Sequence, residues 1–310
     1  MLTVVCSLGA ALCNALASIL QRKGARSVPE RESMHLALLL DVVRRPIWLL
    51  GLLAMVTAFV LQAAALDSGD LALVQPILLT ELPLTLLLAP LFFSISAGRR
   101  AWLGVVGMAA GLAAVLLAAA PRGGRVSAST MALIFTVISS LALIAVIVMV
   151  ALRLEGSPRA AAFGTAAGTG FALTAGLMKQ AVGELGSGVG VMFSSWTLYA
   201  MAIAGVISLY LWQNALQAGT LVAAQPAITL SDPIFATCIG VLVFGERIRL
   251  GGWIAIEVIG ALVIALASVE LARSPLVSGE GEELERSGQS GQPGRFGRAA
   301  RNQEATPDRL

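Results

Sequence analysis

Two acidic residues sit near the middle of long apolar runs. Glu81 is twelfth of 24 residues in 70–93, and Asp232 is fourteenth of 26 in 219–244. A carboxylate at mid-bilayer is costly, so it faces an internal cavity and marks an ion or proton path. Both acids sit beside prolines. The first run carries Pro76, Pro83 and Pro90 at seven-residue intervals, and the second carries Pro226 and Pro233 at the same interval. Proline lacks the amide donor, so the carbonyl four residues earlier loses its helical partner, Leu79 for Pro83 and Thr229 for Pro233. Within lipid that carbonyl must find a neighbouring helix, water or a bound cation. A carboxylate beside freed carbonyls suits a hard cation, or a proton relay. Glu81 and Asp232 are therefore the candidate metal ligands, and Pro76, Pro83, Pro226 and Pro233 the candidate hinges. The alternative for each acid is a protonated carboxyl bonded to an adjacent helix.

Other polar residues carry less. Glu257 lies about two turns into the run 251–271 and is a further pathway candidate. Gln75 and Gln225 each precede a proline, where an amide either satisfies loosened backbone or touches substrate. Asn14, Gln62, Gln213 and Asn214 read as hydrogen-bonders between helices. Glu246, Arg247 and Arg249 read as a solvated helix end. Gly107 with Gly111, and Gly164 with Gly168, have the spacing of close helix packing. His35 is the sole histidine, and Cys6, Cys13 and Cys238 all lie in apolar runs. Imidazole-dependent catalysis, a disulfide framework and paired metal-ligand spacings are thereby excluded. With no nucleophile elbow or zinc motif either, neither an enzyme nor a cofactor is expected.

The elements that position these residues follow from composition. Of 310 residues, 57% are apolar and 13% charged, whereas soluble proteins carry about 25% charged residues. The mean hydropathy of +0.85 excludes a soluble domain. A bilayer-spanning helix needs about 20 mostly apolar residues. The chain supplies nine such runs: 2–21, 46–66, 70–93, 101–120, 129–150, 158–180, 194–216, 219–244 and 251–271. They are continuously apolar, not alternating, so they are helices and not barrel strands. The fold class is an all-α polytopic membrane bundle. Trp48, Trp102, Trp196, Trp253 and Trp212 lie near run ends, as headgroup-seeking rings do. Sixteen of the 21 Lys and Arg fall on one side, leaving Arg122, Arg125, Lys179, Arg247 and Arg249 on the other. The positive-inside rule then puts the N-terminus outside and the C-terminus in the cytoplasm of a plasma (inner) membrane protein. The first run, with Arg22, Lys23 and Arg26 after it, reads as a retained anchor. Residues 33–45 fit a short helix at the inner surface, and 274–310 a disordered cytoplasmic tail.

The chain also repeats. ALDSGDLALVQPILLTELP (65–83) aligns with ALQAGTLVAAQPAITLSDP (215–233), seven of nineteen positions being identical. LCNALASILQRK (12–23) matches TGFALTAGLMKQ (169–180) more weakly. Five crossings separate equivalent helices, giving an inverted-topology repeat in a 4+1+4 order, whose binding site belongs at the midplane between the copies. The division is 1–120 for the first repeat, 121–157 for a linker helix, 158–273 for the second repeat and 274–310 for the tail. Glu81 aligns with Ser231 and Asp232 with Leu82, so the acids are one position out of register.

QPAITLSDPIFATCIGVLVFGERIRLGGWIAIEVIGALVIALAS (225–268) resembles the C-terminal half-repeat of the drug/metabolite transporter superfamily, of EamA-like type. The shared features are a proline-bearing helix, a Gly-Glu at its end (Gly245, Glu246), a short loop and a glycine-rich last helix. The first half departs from that pattern, with Gly98, Arg99 and Arg100 at the Gly-Glu place. ILQRKGA (19–25), the missing second span and the nine-helix layout are similar to the NIPA-like group, which is associated with magnesium transport. The resemblance implies a secondary transporter or facilitator of a small solute or cation, Mg²⁺ among them, working by alternating access. A proton-coupled metabolite or drug exporter is the alternative within the class, and a non-transporting membrane adaptor or sensor the alternative outside it. The expected partners are the lipid bilayer and a small-molecule or cation substrate, and no nucleic acid. Oligomeric state stays open, a homodimer included.

Overall fold

The computed structural model describes residues 1–25, 46–92, 98–125 and 127–273. The expected surface helix at 33–45 and the tail at 274–310 lie outside the described residues. Among these residues the chain is built from helices: α1 (Leu2–Ala25), α2 (Pro46–Ser68), α3 (Leu71–Leu78), α4 (Glu81–Phe92), α5 (Arg99–Ala119), α6 (Thr130–Ala151), α7 (Gly156–Leu185), α8 (Val189–Ser194), α9 (Trp196–Ala218), α10 (Leu221–Val243) and α11 (Trp253–Ala272). Counting α3 and α4 together as one crossing, nine are long and apolar enough to span a bilayer. The bundle is all-α and polytopic, with span edges within a few residues of those expected. α7 runs furthest past its expected end, to Leu185, so Lys179 and Gln180 lie more than a turn inside it and not at its edge.

Burial separates axis from periphery. In α7, 72% of the most apolar stretch lies inside the bundle, against 11% in α6. α7 is therefore the central post and α6 a lipid-facing flank. α7 packs on α9, α10 and α6, while α1 packs on α2, α3 and α4, and α5 and α11 pack on each other. One apolar cluster unites both halves through Leu66, Val74, Leu177, Ile239 and Phe244.

Small residues allow these approaches. A side chain added at Gly168 would overlap the Ser231 hydroxyl, and one at Gly164 would meet the Ala224 carbonyl, so α7 and α10 touch almost backbone to backbone. Gly111 faces the Gly260 carbonyl across α5 and α11 in the same way. The glycine pairs thus sit at helix crossings, where side-chain bulk would force the backbones apart.

The two proline-bearing runs behave differently. Around Leu79 and Thr80 the first breaks into α3 and α4 through tighter i→i−3 bonds, Thr80 N–H donating to Ile77 O at 3.0 Å. Leu82 N–H donates to Leu79 O at 3.2 Å, so the carbonyl that Pro83 deprives recovers a local partner and is not left free. α10 passes Pro226 and Pro233 without a break.

Filling the α5–α11 crossing is expected to destabilise the bundle. Gly111→Leu should cost about 1–3 kcal/mol through overpacking, read as a lower unfolding temperature in detergent. Gly98→Leu, with nothing within 4 Å of the added atom, should leave that temperature unchanged.

Candidate functional site

Glu81 and Asp232 come together despite their register offset. Both line one cavity of about 350 Å³ between the halves, with Asn14 of α1, Gln62 of α2, Gln75 of α3 and Thr174 of α7. The α3–α4 break explains the meeting. Glu81 is the first residue of α4, so the turn at Leu79–Thr80 re-aims it relative to a continuous helix. Asn14 and Ser18 of α1 stand close to its carboxyl. Asp232 comes from unbroken α10 on the opposite wall, and its Oδ1 is buried without a hydrogen-bond partner.

Gln75 lines the same cavity, is 3% exposed, and its Nε2 also lacks a partner. Gln225 does not reach it, and instead donates to the Thr229 hydroxyl at 3.5 Å. Glu257 lines a separate cavity of about 280 Å³ against Pro76, Thr229 and Pro233. The structure therefore unites Glu81, Asp232 and Gln75 and leaves Gln225 and Glu257 apart. Of the hinge candidates, Pro83 lies in the first turn of α4, just after the break, while Pro226 and Pro233 sit in continuous helix. Asn14 and Gln62 line the cavity, whereas Asn214 bonds within its own helix, to Tyr210 O at 2.8 Å.

The strongest polar constellation lies beside this cavity, and it overturns two expectations. Glu246 is 2% exposed, not a solvated helix end. Lys179, counted among the surface charges of the N-terminal side, is 2% exposed. Lys179 Nζ donates to Glu246 Oε1 at 2.7 Å and to Gly69 O at 2.9 Å. The Glu246 carboxylate also accepts Leu71 N–H at 2.6 Å and Ala72 N–H at 2.9 Å. It thus caps the N-terminus of α3, where free amides and the helix dipole favour an anion. Asp70, the residue at the cap position, turns away to accept Gly124 N–H at 2.9 Å.

The local chain explains why Glu246 points inward. Gly245 takes φ +69° just past α10, a conformation glycine adopts freely. The chain turns back and Glu246 N–H donates to Gly240 O at 3.0 Å. Gly240 leaves the space that the carboxylate fills, and a side chain added at Gly124 would overlap Asp70 Oδ1 and Glu246 Cγ. Lys179 completes the group from α7, its Nζ 5.1 Å from the Phe244 ring centre, a favourable cation–π distance. Met178, its neighbour in α7, lines the carboxylate cavity, and the α3 amides that Glu246 takes lie one turn before Gln75, which lines it too. Two sequence signals point here: the Gly-Glu after α10, and a lysine within a predicted span.

Fold and site together define a polytopic all-α membrane protein with an internal carboxylate-lined cavity. Over 278 residues the chain is 27% identical to an uncharacterized protein of Corynebacterium glutamicum, covering 88% of this chain and 96% of that relative. No family model and no solved structure matches the chain.

Removing one member of the buried pair strands the other. Glu246→Gln leaves an unpaired ammonium and turns an amide NH₂ toward the α3 amides, so it should cost about 3–5 kcal/mol. Lys179→Met should cost a similar amount, and the double variant much less than the two summed. Unfolding temperatures of the three variants measure this, and additive losses would show that the pair is not coupled.

Proposed function

We propose that the protein is a secondary transporter or facilitator of the drug/metabolite transporter type. It carries a small solute or cation, Mg²⁺ among them, by alternating access through the cavity between its halves. The observation that carries this reading is the cavity itself: two carboxylates from opposite halves face one internal space lined also by the amides of Asn14, Gln62 and Gln75. Mg²⁺ dehydrates reluctantly and is held through one or two carboxylates with several waters kept. At roughly 30 Å³ per water, 350 Å³ holds about ten waters, enough for a hydrated ion. Among the described residues no group of three or more His, Cys, Asp or Glu is placed to hold a metal. The asymmetry of Lys and Arg supports a plasma (inner) membrane orientation with the N-terminus outside.

In this reading the Lys179–Glu246 clamp is the closed gate at the N-terminal end of the bundle. It ties α3 and α7 to the α10–α11 loop across both halves, so the cavity opens to that end only when the pair parts. The α3–α4 break supplies the bend, and α10 moves as a stiffer rod. A proton-coupled exporter of organic solutes is favoured by one detail, the unpartnered Gln75 Nε2. A carbonyl or carboxylate on an organic solute would accept from it directly, whereas a hydrated cation would reach it only through its waters.

Uptake into vesicles holding the purified protein tests both readings, using Mg²⁺, other divalent cations and small amine- or carboxylate-bearing solutes with and without a pH gradient. Glu81→Gln and Asp232→Asn should each lower transport about tenfold or more, as expected for losing a charged ligand contact, while Glu257→Gln stays close to wild type. Uptake unchanged in the double variant Glu81→Gln/Asp232→Asn would remove the cavity from the pathway.

A further inference from the structure

The basic residues on the N-terminal face form a second site, separate from the carboxylate cavity. With Lys179 buried in its ion pair, the remaining four of that face, Arg122, Arg125, Arg247 and Arg249, all line one cavity of about 540 Å³. They are held there by backbone. Arg122 N–H donates to Arg247 O at 3.0 Å and Arg247 N–H to Arg122 O at 2.9 Å. Arg125 N–H donates to Phe244 O at 2.8 Å, and Arg249 N–H to Ala119 O at 3.0 Å. The loops after α5 and α10 are thus joined by a short antiparallel bridge that brings the backbones of four exposed arginines around one space.

Such an arrangement has a cost that points to a ligand. Among the described residues the ion pairs are Lys179–Glu246 and Arg273–Glu270, so no carboxylate there neutralises the four arginines. The one acid next to them in the chain, Glu246, is turned inward and used by Lys179. Four like charges gathered with no ion-pair partner repel one another, even with Asp70 held on the Gly124 N–H between two of them, and a bound anion relieves that repulsion. Guanidinium groups match phosphate oxygens bidentately, which selects phosphate over a simple halide. Arg249 lies 5.2 Å from the Trp253 ring centre, and Leu242 and Leu250 are exposed nearby in the chain, a mix of tryptophan and apolar surface that suits the headgroup layer.

We propose that Arg122, Arg125, Arg247 and Arg249 form a binding site for a phosphate-bearing anion, presented by a lipid headgroup or by soluble phosphate. It is independent of the transport reading, since no residue of the carboxylate cavity takes part.

The test uses the full chain in nanodiscs of phosphatidylcholine with and without phosphatidylglycerol. Native mass spectrometry reads retained lipid, and titration with inorganic phosphate reads the soluble source. Wild type should hold at least one of the two probes about tenfold more tightly than Arg122→Gln/Arg125→Gln/Arg247→Gln/Arg249→Gln, from lost charge-assisted bonds. Phosphatidylglycerol that inorganic phosphate cannot displace assigns the site to the headgroup, and displacement assigns it to soluble phosphate. Glu81→Gln/Asp232→Asn should bind as wild type does. Arg247→Lys/Arg249→Lys, which keeps the charge, should bind more weakly than wild type, and it carries the test if the glutamine variant does not fold. Equal retention of both probes by the wild type and the glutamine variant, or by the wild type and the lysine variant, would overturn the proposal.

Discussion

The bond between Lys179 and Glu246 is the constraint on which the arrangement depends. Neither charge could be left alone at 2% exposure, because an isolated buried ion is far costlier than a paired one. Each partner also satisfies backbone that the fold would otherwise orphan. Glu246 takes the first amides of α3, and Lys179 takes the Gly69 carbonyl just before it. One ion pair therefore fixes the start of α3, the C-terminal half of α7 and the turn after α10. The glycines at 124, 240 and 245 exist around it as space and as a turn.

From that anchor the carboxylate cavity follows. α3 is held at its N-terminus by the clamp and ends after two turns, where Leu79 and Thr80 let the chain bend into α4. The bend places Glu81 on a cavity wall opposite Asp232, whose helix has no such break. The halves are thus unequal where chemistry concentrates. One offers a jointed helix, and the other a continuous one that carries the Gly-Glu turn. The Gly98-Arg99-Arg100 segment, where the sequence resemblance leads one to look for a second Gly-Glu, carries no acid for an equivalent clamp.

Much of the fold was legible in the sequence because bilayer thickness sets helix length and lipid tolerates little else. The nine crossings, the tryptophans near their ends and the glycine pairs at crossings are consequences of that solvent. The site was legible in part. Glu81 and Asp232 stand out as mid-span acids, but the broken register hid that they share a cavity, since a turn at Leu79–Thr80 is a tertiary outcome of Pro83 and its neighbours. Glu246 and Lys179 were misread for a different reason. Their residue types and positions near span ends match ordinary surface charge, and only the close return after Gly245 and the continuation of α7 to Leu185 bring them inside. The arginines of the N-terminal face read along the chain as topology signals, because clustering in space is not visible there.

In the proposed function the Lys179–Glu246 pair closes the N-terminal end of the bundle to the carboxylate cavity. The most direct measurement is the accessibility of a cysteine placed at Thr174, a cavity-lining position, in a chain whose Cys6, Cys13 and Cys238 are replaced. A membrane-impermeant thiol reagent is applied from the side of residue 1 to protein in sealed vesicles. With the pair intact the account predicts slow labelling, and with Glu246→Gln labelling many times faster. Equal rates in the two backgrounds, or fast labelling with the pair intact, would contradict it.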